Sequence, residues 1–287
     1  MVYRCWIKTF LRTMRISLST ILFLLAMHVA AQENLLHSGK LIGNGGAPVE
    51  YATIGVPACG KGTLSGIDGR FSLLLPSGCR DTVVISHVSY KELKIPADRL
   101  RATASPITMQ PKELDELIVY DGKKKKTRLA GKGARIPGAV ATFTTESLGH
   151  EIGTVVEVKR VFEVHEFAFN VHSSNMGSAR VSMNIYKTDE TGMAFTNELH
   201  APVYVDIPAS EGKQVIIVVP EKLLLIEPGI YFVSLMLVDC ACSVDVANAA
   251  IHFPLYMKKS YMRKGIGCGL EKVPVNMGLE VRGIEYR

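Results

Sequence analysis

Eight histidines, six cysteines and a scatter of acidic residues are this chain's raw material for chemistry, and their spacing argues against most of it. A zinc peptidase needs two ligands from one short segment, as H-E-x-x-H or His-x-x-Glu, so that both side chains reach one metal, with a further ligand and a glutamate for the catalysis. No histidine here has glutamate at the third following position. His150-Glu151 and His165-Glu166 begin the first pattern, but Thr154 and Phe169 stand where its second histidine belongs. His165 and His172 therefore read as residues lining a strand or its solvent face. Cys240-Ala241-Cys242 with His252 offers three soft ligands. A C-x-C pair can chelate, close a strained disulfide or pack at a strand end, and the preference of structural zinc for four ligands and C-x-x-C spacing argues against chelation. Asp68, in a lone Asp-Gly turn, brings too few oxygens for calcium. Asp115 and Glu116, beside a run of lysines, read as solubilising charge.

Nucleophilic and phosphate chemistry fare no better. There is no G-x-S-x-G elbow, no G-x-G-x-x-G and no P-loop, the arrangements that expose a serine or cradle a phosphate. Ser210-Glu211-Gly212-Lys213 has S-x-x-K spacing, but it falls in an expected hairpin turn that cannot shelter a nucleophile and its base. Gly265-Ile266-Gly267-Cys268-Gly269 lacks the strand-to-helix context of a phosphate loop. The expectation is a chain with no catalytic, cofactor-binding or metal-binding residues, hence no enzyme.

The elements that would carry any site are strands. Ala52, Ile54 and Val56 alternate with Tyr51, Thr53 and Gly55, and Phe71, Leu73 and Leu75 alternate with Ser72 and Leu74, the period of strands with one buried face. Gly66-Ile67-Asp68-Gly69 between them supplies residues that tolerate the positive φ of a tight hairpin. Residues 35–42, 82–87, 90–95 and 107–109 add further strands, about seven in all, and residues 97–102 a turn of helix: a small sandwich. Alternation returns at Phe167-Phe169-Val171, Val181-Met183-Ile185, Val203-Val205-Ile207, residues 215–219 and Tyr231-Val233-Leu235-Leu237, with turns at 189–192 and 211–212. Residues 251–256 and 279–286 would close this second sandwich of about 150 residues, and 257–264 reads as a basic, exposed connection. Between the two regions, Gly122-Lys123-Lys124-Lys125-Lys126-Thr127-Arg128 reads as a solvated basic linker.

At 287 residues the chain has room for two domains of ordinary size. Arg4, Lys8, Arg12 and Arg15 precede the apolar run 21–27 and the small residues Val29-Ala30-Ala31, the order expected of a secretory signal peptide cleaved before Gln32. The apolar run is shorter than the roughly 18 residues a membrane span needs, and no cysteine follows the cleavage point to carry a lipid. Initiation at Met14 would leave the mature chain unchanged. Losing four basic side chains and no acidic ones takes the formal net charge from +6 to +2, which removes the electrostatic case for nucleic acid. Five cysteines then remain: Cys59, Cys79, Cys240, Cys242 and Cys268. An odd number leaves at least one free or paired with another chain; Cys59 and Cys79 lie on loops of one small sandwich, where they could meet or remain inert thiols.

The motifs in the first region carry a resemblance. Gly46-Ala47-Pro48, Tyr51-Ala52-Thr53-Ile54, Gly62-Thr63-Leu64-Ser65, Asp68-Gly69-Arg70-Phe71 and Ile85-Ser86 with Tyr90 resemble the carboxypeptidase-regulatory-like domain, a transthyretin-like β-sandwich of envelope proteins in Bacteroidota. The match covers roughly residues 38–111 and departs at Ser89, where the family usually has glycine. The family name implies no peptidase activity, since it refers to a companion domain elsewhere. Leu114-Asp115-Glu116-Leu117-Ile118-Val119-Tyr120 is similar to the segment that joins this domain to the plug in TonB-dependent receptors of the starch-utilisation type, although the remaining chain is too short for a plug and barrel. Glu166-Phe167-Ala168-Phe169-Asn170, Asn184-Ile185-Tyr186 and residues 228–235 resemble the region that accompanies the domain in such proteins.

The expected molecule is all-β: a signal peptide (1–31), a small transthyretin-like β-sandwich (32–120), a basic linker (121–138) and a larger β-sandwich (139–287), a jelly-roll-like arrangement being one option. The expected function is a non-enzymatic, exported accessory of the cell envelope, periplasmic or outer-membrane associated, without a transmembrane segment in the mature chain. It would bind an envelope protein or a glycan through loops or sheet edges. Two alternatives are a TonB-linked interaction through Asp115, Tyr120 and the residues between, and a hydrolase whose site is assembled from residues distant in sequence.

Overall fold

The computed structural model describes residues 34–102, 105–113, 122–188, 196–241, 249–266 and 268–287, with only the backbone of 101, 102, 196 and 241. The signal peptide, the segment 115–120, Cys242 and the turn at 189–192 lie outside them. Within them the protein is all-β, a small sandwich followed by a larger one, with one short helix. No helix among the described residues is long and apolar enough to cross a membrane.

The first sandwich is built from β1 (Asn34–Gly43), β2 (Thr53–Val56), β3 (Lys61–Leu64), β4 (Arg70–Pro76), β5 (Thr82–His87), β6 (Tyr90–Pro96), helix α1 (Ala97–Ala102) and β7 (Ile107–Met109). One sheet has the order β4-β1-β7 and the other β3-β2-β5-β6. Ile54, Val56, Leu73, Leu75, Val83 and Ile85 fill the core between them, as the alternation requires. The turn at Gly66-Gly69 differs from the expected hairpin. Its flanking strands belong to different sheets, and β2 instead pairs with β3 across a short 3₁₀ turn at Pro57–Cys59 closed by Gly60. The turn is thus the crossover between sheets, and Gly69 sits there with φ 77° where an added Cβ would lie 2.4 Å from the Leu41 carbonyl oxygen.

The second sandwich begins at β8 (Lys124–Ala130), followed by β9 (Ala134–Thr144), β10 (Glu151–Val158), β11 (Phe162–Val171), β12 (Ser173–Thr188), β13 (Thr196–Asn197), β14 (Val203–Ser210), β15 (Gln214–Val218), β16 (Leu224–Ile226), β17 (Gly229–Ala241), β18 (Ala250–Met257), β19 (Ser260–Arg263), β20 (Glu271–Val273) and β21 (Glu280–Tyr286). A nine-stranded sheet runs β20-β19-β10-β17-β12-β18-β9, with β13 and β14 also on β12, and a five-stranded sheet runs β15-β11-β21-β8, with β16 on β11. Phe167, Phe169, Val181, Met183, Ile185, Val233, Leu235 and Phe253 pack between them.

Two expectations are corrected here. The basic linker at 121–138 is largely strand: β8 pairs along β21, and Lys124 lies over the Tyr286 ring at 5.3 Å. Lysines suit this position because β8 ends its sheet and charged side chains keep such an edge from pairing with other chains. The connection at 257–264 contains β19, paired to β10, and its Ser260 is buried, donating to the Val275 carbonyl at 2.6 Å.

Candidate ligand-binding site

Alternation along β12 puts Val181, Met183 and Ile185 into the core and turns Ser182, Asn184 and Tyr186 to the other face of the nine-stranded sheet, yet all six residues are buried. That outer face is the floor of a cleft of about 370 Å³ whose opposite wall is the β2-β5 face of the first sandwich, with Thr53, Gly55, Val84 and Ser86. The register assembles the floor. Glu151 at the start of β10 stands opposite Met236 on β17 and Arg263 on β19, and Asn184 opposite Ser234.

Glu151 is fully buried. Its Oε1 accepts from Ser234 Oγ at 2.5 Å and Asn184 Nδ2 at 3.1 Å, and its Oε2 lies 3.5 Å from Arg263 Nε. A charge so far from water persists only when paired and hydrogen-bonded. Asn184 Oδ1 in turn accepts from Ser182 and from Asn197 of β13, each at 3.3 Å. The Arg263 guanidinium sits 5.3 Å from the centre of the Tyr186 ring, which stacks on Phe232. Burial, then the Glu151 charge, holds the Tyr186 phenol protonated, far above its ordinary range.

Across the cleft, His87 ends β5. Burial pushes its imidazole down to about 4, so the ring is neutral at pH 7. Nδ1 accepts the Ser89 backbone N–H at 3.1 Å, which places the proton on Nε2. Nε2 is buried and has no hydrogen-bond partner among the described residues. A buried N–H without an acceptor costs free energy.

One side of the cleft is closed by Tyr51, from the Tyr-Ala-Thr-Ile motif. Its hydroxyl donates to Asp239 Oδ2 at 2.8 Å, and its ring meets Tyr204 edge to face at 5.1 Å. Arg180 lies about 6 Å from both rings while gripping Asp206 through two bonds of 2.7 and 2.9 Å. Burial and the Asp239 bond push the Tyr51 phenol up to about 12. Tyr51 holds φ 51°, the one non-glycine residue with positive φ among the described residues; such strain persists where surrounding contacts over-determine it. Tyr51→Phe keeps the ring and loses the bond, so unfolding in urea should show a loss of about 1–2 kcal/mol. A loss below a few tenths would mean that Asp239 contributes nothing to the clasp.

The far side is formed by Ile266, Cys268 and Gly269 after β19. Gly62 of β3 admits them, since a Cβ there would lie 2.5 Å from the Ile266 carbonyl oxygen. Cys268 Sγ lies 3.7 Å from the Gly60 carbonyl oxygen. Of the glycines here it is Gly62 that close packing requires; a Cβ on Gly269 would meet nothing within 4 Å.

The other residues weighed in the sequence fall elsewhere. Ser210 Oγ accepts the Gly212 N–H inside the β14-β15 turn. His165 is half-exposed on β11 beside Glu163, and His252 bonds Thr142. Cys59 and Cys79 form a disulfide. Among the described residues the one cluster with metal-ligand spacing is Cys59, Cys79 and Asp81, and there the bridge consumes both sulfurs. Sequence reasoning noticed Glu151 only as half of a failed zinc motif and missed Arg263, His87 and Tyr186 as partners; the signal it had was the polar residue at every second position of β12.

No protein-family model matches the chain, and no curated protein matches its sequence. Among solved structures it is similar to chains of infectious bursal disease virus: the Gx strain (10% identity, TM-score 0.26, 87% of this chain and 62% of that one) and the VP2 subviral particle (11%, 0.21, 88% and 64%). A third is the Gt strain (13%, 0.20, 88% and 62%). The chain spans less than two thirds of those chains, and at such TM-scores the likeness carries no argument.

Proposed function

We propose that the protein is an exported, non-enzymatic binding protein of a bacterial outer envelope, and that its ligand site is the cleft between the two sandwiches. The observation that carries this reading is the polar floor of Glu151, Ser182, Asn184 and Tyr186, with His87 on the facing wall, around a space of about 370 Å³, within the range of small-molecule sites. The chemistry points to an uncharged polar ligand. The charged lining residues are already matched, Glu151 with Arg263 at 3.5 Å and Glu92 with Lys94 at 3.1 Å, so an ionic ligand would find no free counter-charge. Tyrosine rings beside short amide and hydroxyl side chains suit a neutral glycan, which offers apolar ring faces and many acceptors. The Cys59-Cys79 bridge supports export, because such bonds persist in oxidising compartments. The resemblance of residues 38–111 to the regulatory-like domain supports the envelope.

The test is a neutral-glycan array probed with the wild-type protein and His87→Ala. We expect a defined glycan class to bind, and the variant, which removes the imidazole from the cleft wall, to bind it about fivefold to tenfold more weakly. Absence of any glycan ligand, or binding indifferent to both His87→Ala and Tyr186→Phe, would overturn the assignment.

A further inference from the structure

The five-stranded sheet has two unlike edges. At one end β8 is guarded by Lys124, Lys125 and Lys126, all exposed. At the other, β15 pairs with β11 from Gln214↔Val171 to Val218↔Phe167 and meets no strand on its outer side among the described residues. Ile216 and Val218 turn toward the core, while Val215, Ile217 and Val219 are 67%, 54% and 68% exposed. An apolar, β-branched edge with no charge in it is what chains ordinarily avoid, because its open backbone groups template pairing with another strand. The charges nearest to it are Lys213 and Glu221, both exposed and neither in an ion pair among the described residues. They stand four positions before and four after Ile217.

We infer that this edge is a homodimer interface in which β15 of a second copy pairs antiparallel with β15 of the first, the two-fold axis passing at Ile217. In that register Val215 of each copy opposes Val219 of the other, and Lys213 lies beside Glu221. The arrangement is isologous, each contact occurring twice; it pairs the open backbone groups of both edges and sets the six exposed β-branched side chains side by side as cross-strand neighbours on one face of the joined sheet. The opposite signs placed symmetrically about Ile217 select a second copy as the occupant: an unrelated strand would need no such symmetry, and antiparallel shifts away from the axis bring Lys213 and Glu221 out of register.

The experiment is sedimentation equilibrium of the purified protein with its free thiols alkylated, over about 1–100 μM, the range expected of a small interface. Wild type should reach twice the chain mass. Ile217→Lys should remain monomeric throughout while keeping the wild-type circular dichroism. Lys213→Glu alone should dimerise about tenfold more weakly, because it replaces two attractive pairs by two like-charged ones, and Lys213→Glu with Glu221→Lys should restore wild-type association. A monomeric wild type, or a dimer indifferent to Ile217→Lys, would overturn the interface; a charge-reversed double variant no better than the single one would overturn the register.

Discussion

Replacing Glu151 with alanine should lower the free energy of unfolding by about 3–5 kcal/mol, the usual consequence of leaving one member of a buried ion pair without the other. Arg263, with its side chain only 14% exposed and lying against Tyr186, would keep its charge in a site that has lost its carboxylate. Ser234 and Asn184 would lose their common acceptor as well. Glu151→Leu combined with Arg263→Met removes both charges and should recover most of the loss, since a buried pair exchanged for apolar residues is often close to neutral. Urea denaturation of the single and double variants measures this directly. A single-variant loss below about 1 kcal/mol would show that water reaches the floor and that the pair is not sealed as described.

The second large effect is expected from the disulfide. Cys59 ends the turn joining β2 to β3, and Cys79 precedes β5, a separation of 20 residues. Closing a loop of that length restricts the unfolded chain by about 3 kcal/mol on the chain-entropy account. Replacing both cysteines with alanine should therefore lower stability by about that amount, and reductant should destabilise the wild type without affecting the double variant. An unchanged urea midpoint in the double variant would show that the small sandwich does not depend on the bridge.

What could be read in the sequence follows from where the alternation has one cause. In β2, β4, β11 and β17 the apolar residues at every second position face a core, and that parity identified them. On β12 the same parity leaves the second face undetermined. Ser182, Asn184 and Tyr186 alternate as solvent-facing residues would, because polarity at every second position is the same whether the covering layer is water or a polar cleft. Glu151 and Arg263 meet only through the pairing of β10 with β19, a register no local pattern announces, and β19 itself was hidden among lysines and arginines. The lysine run of β8 was read as a linker for a related reason: an edge strand is the one place in a sheet where successive lysines are favourable. The Gly66-Gly69 turn was correctly placed, but its sequence specifies positive φ and says nothing of which sheet the next strand joins.

A ligand held in the cleft between the sandwiches would bridge β5, β12 and the segment 197–204, which line it. Backbone hydrogen exchange, read by mass spectrometry with and without a saturating amount of the glycan found on the array, reports its footprint. Protection should appear in β5 at residues 84–87, in β12 at 182–186 and in the segment 197–204, with the outer edge at β15 unchanged. Protection confined to β15, or to surfaces remote from Glu151 and His87, would place the ligand outside the cleft.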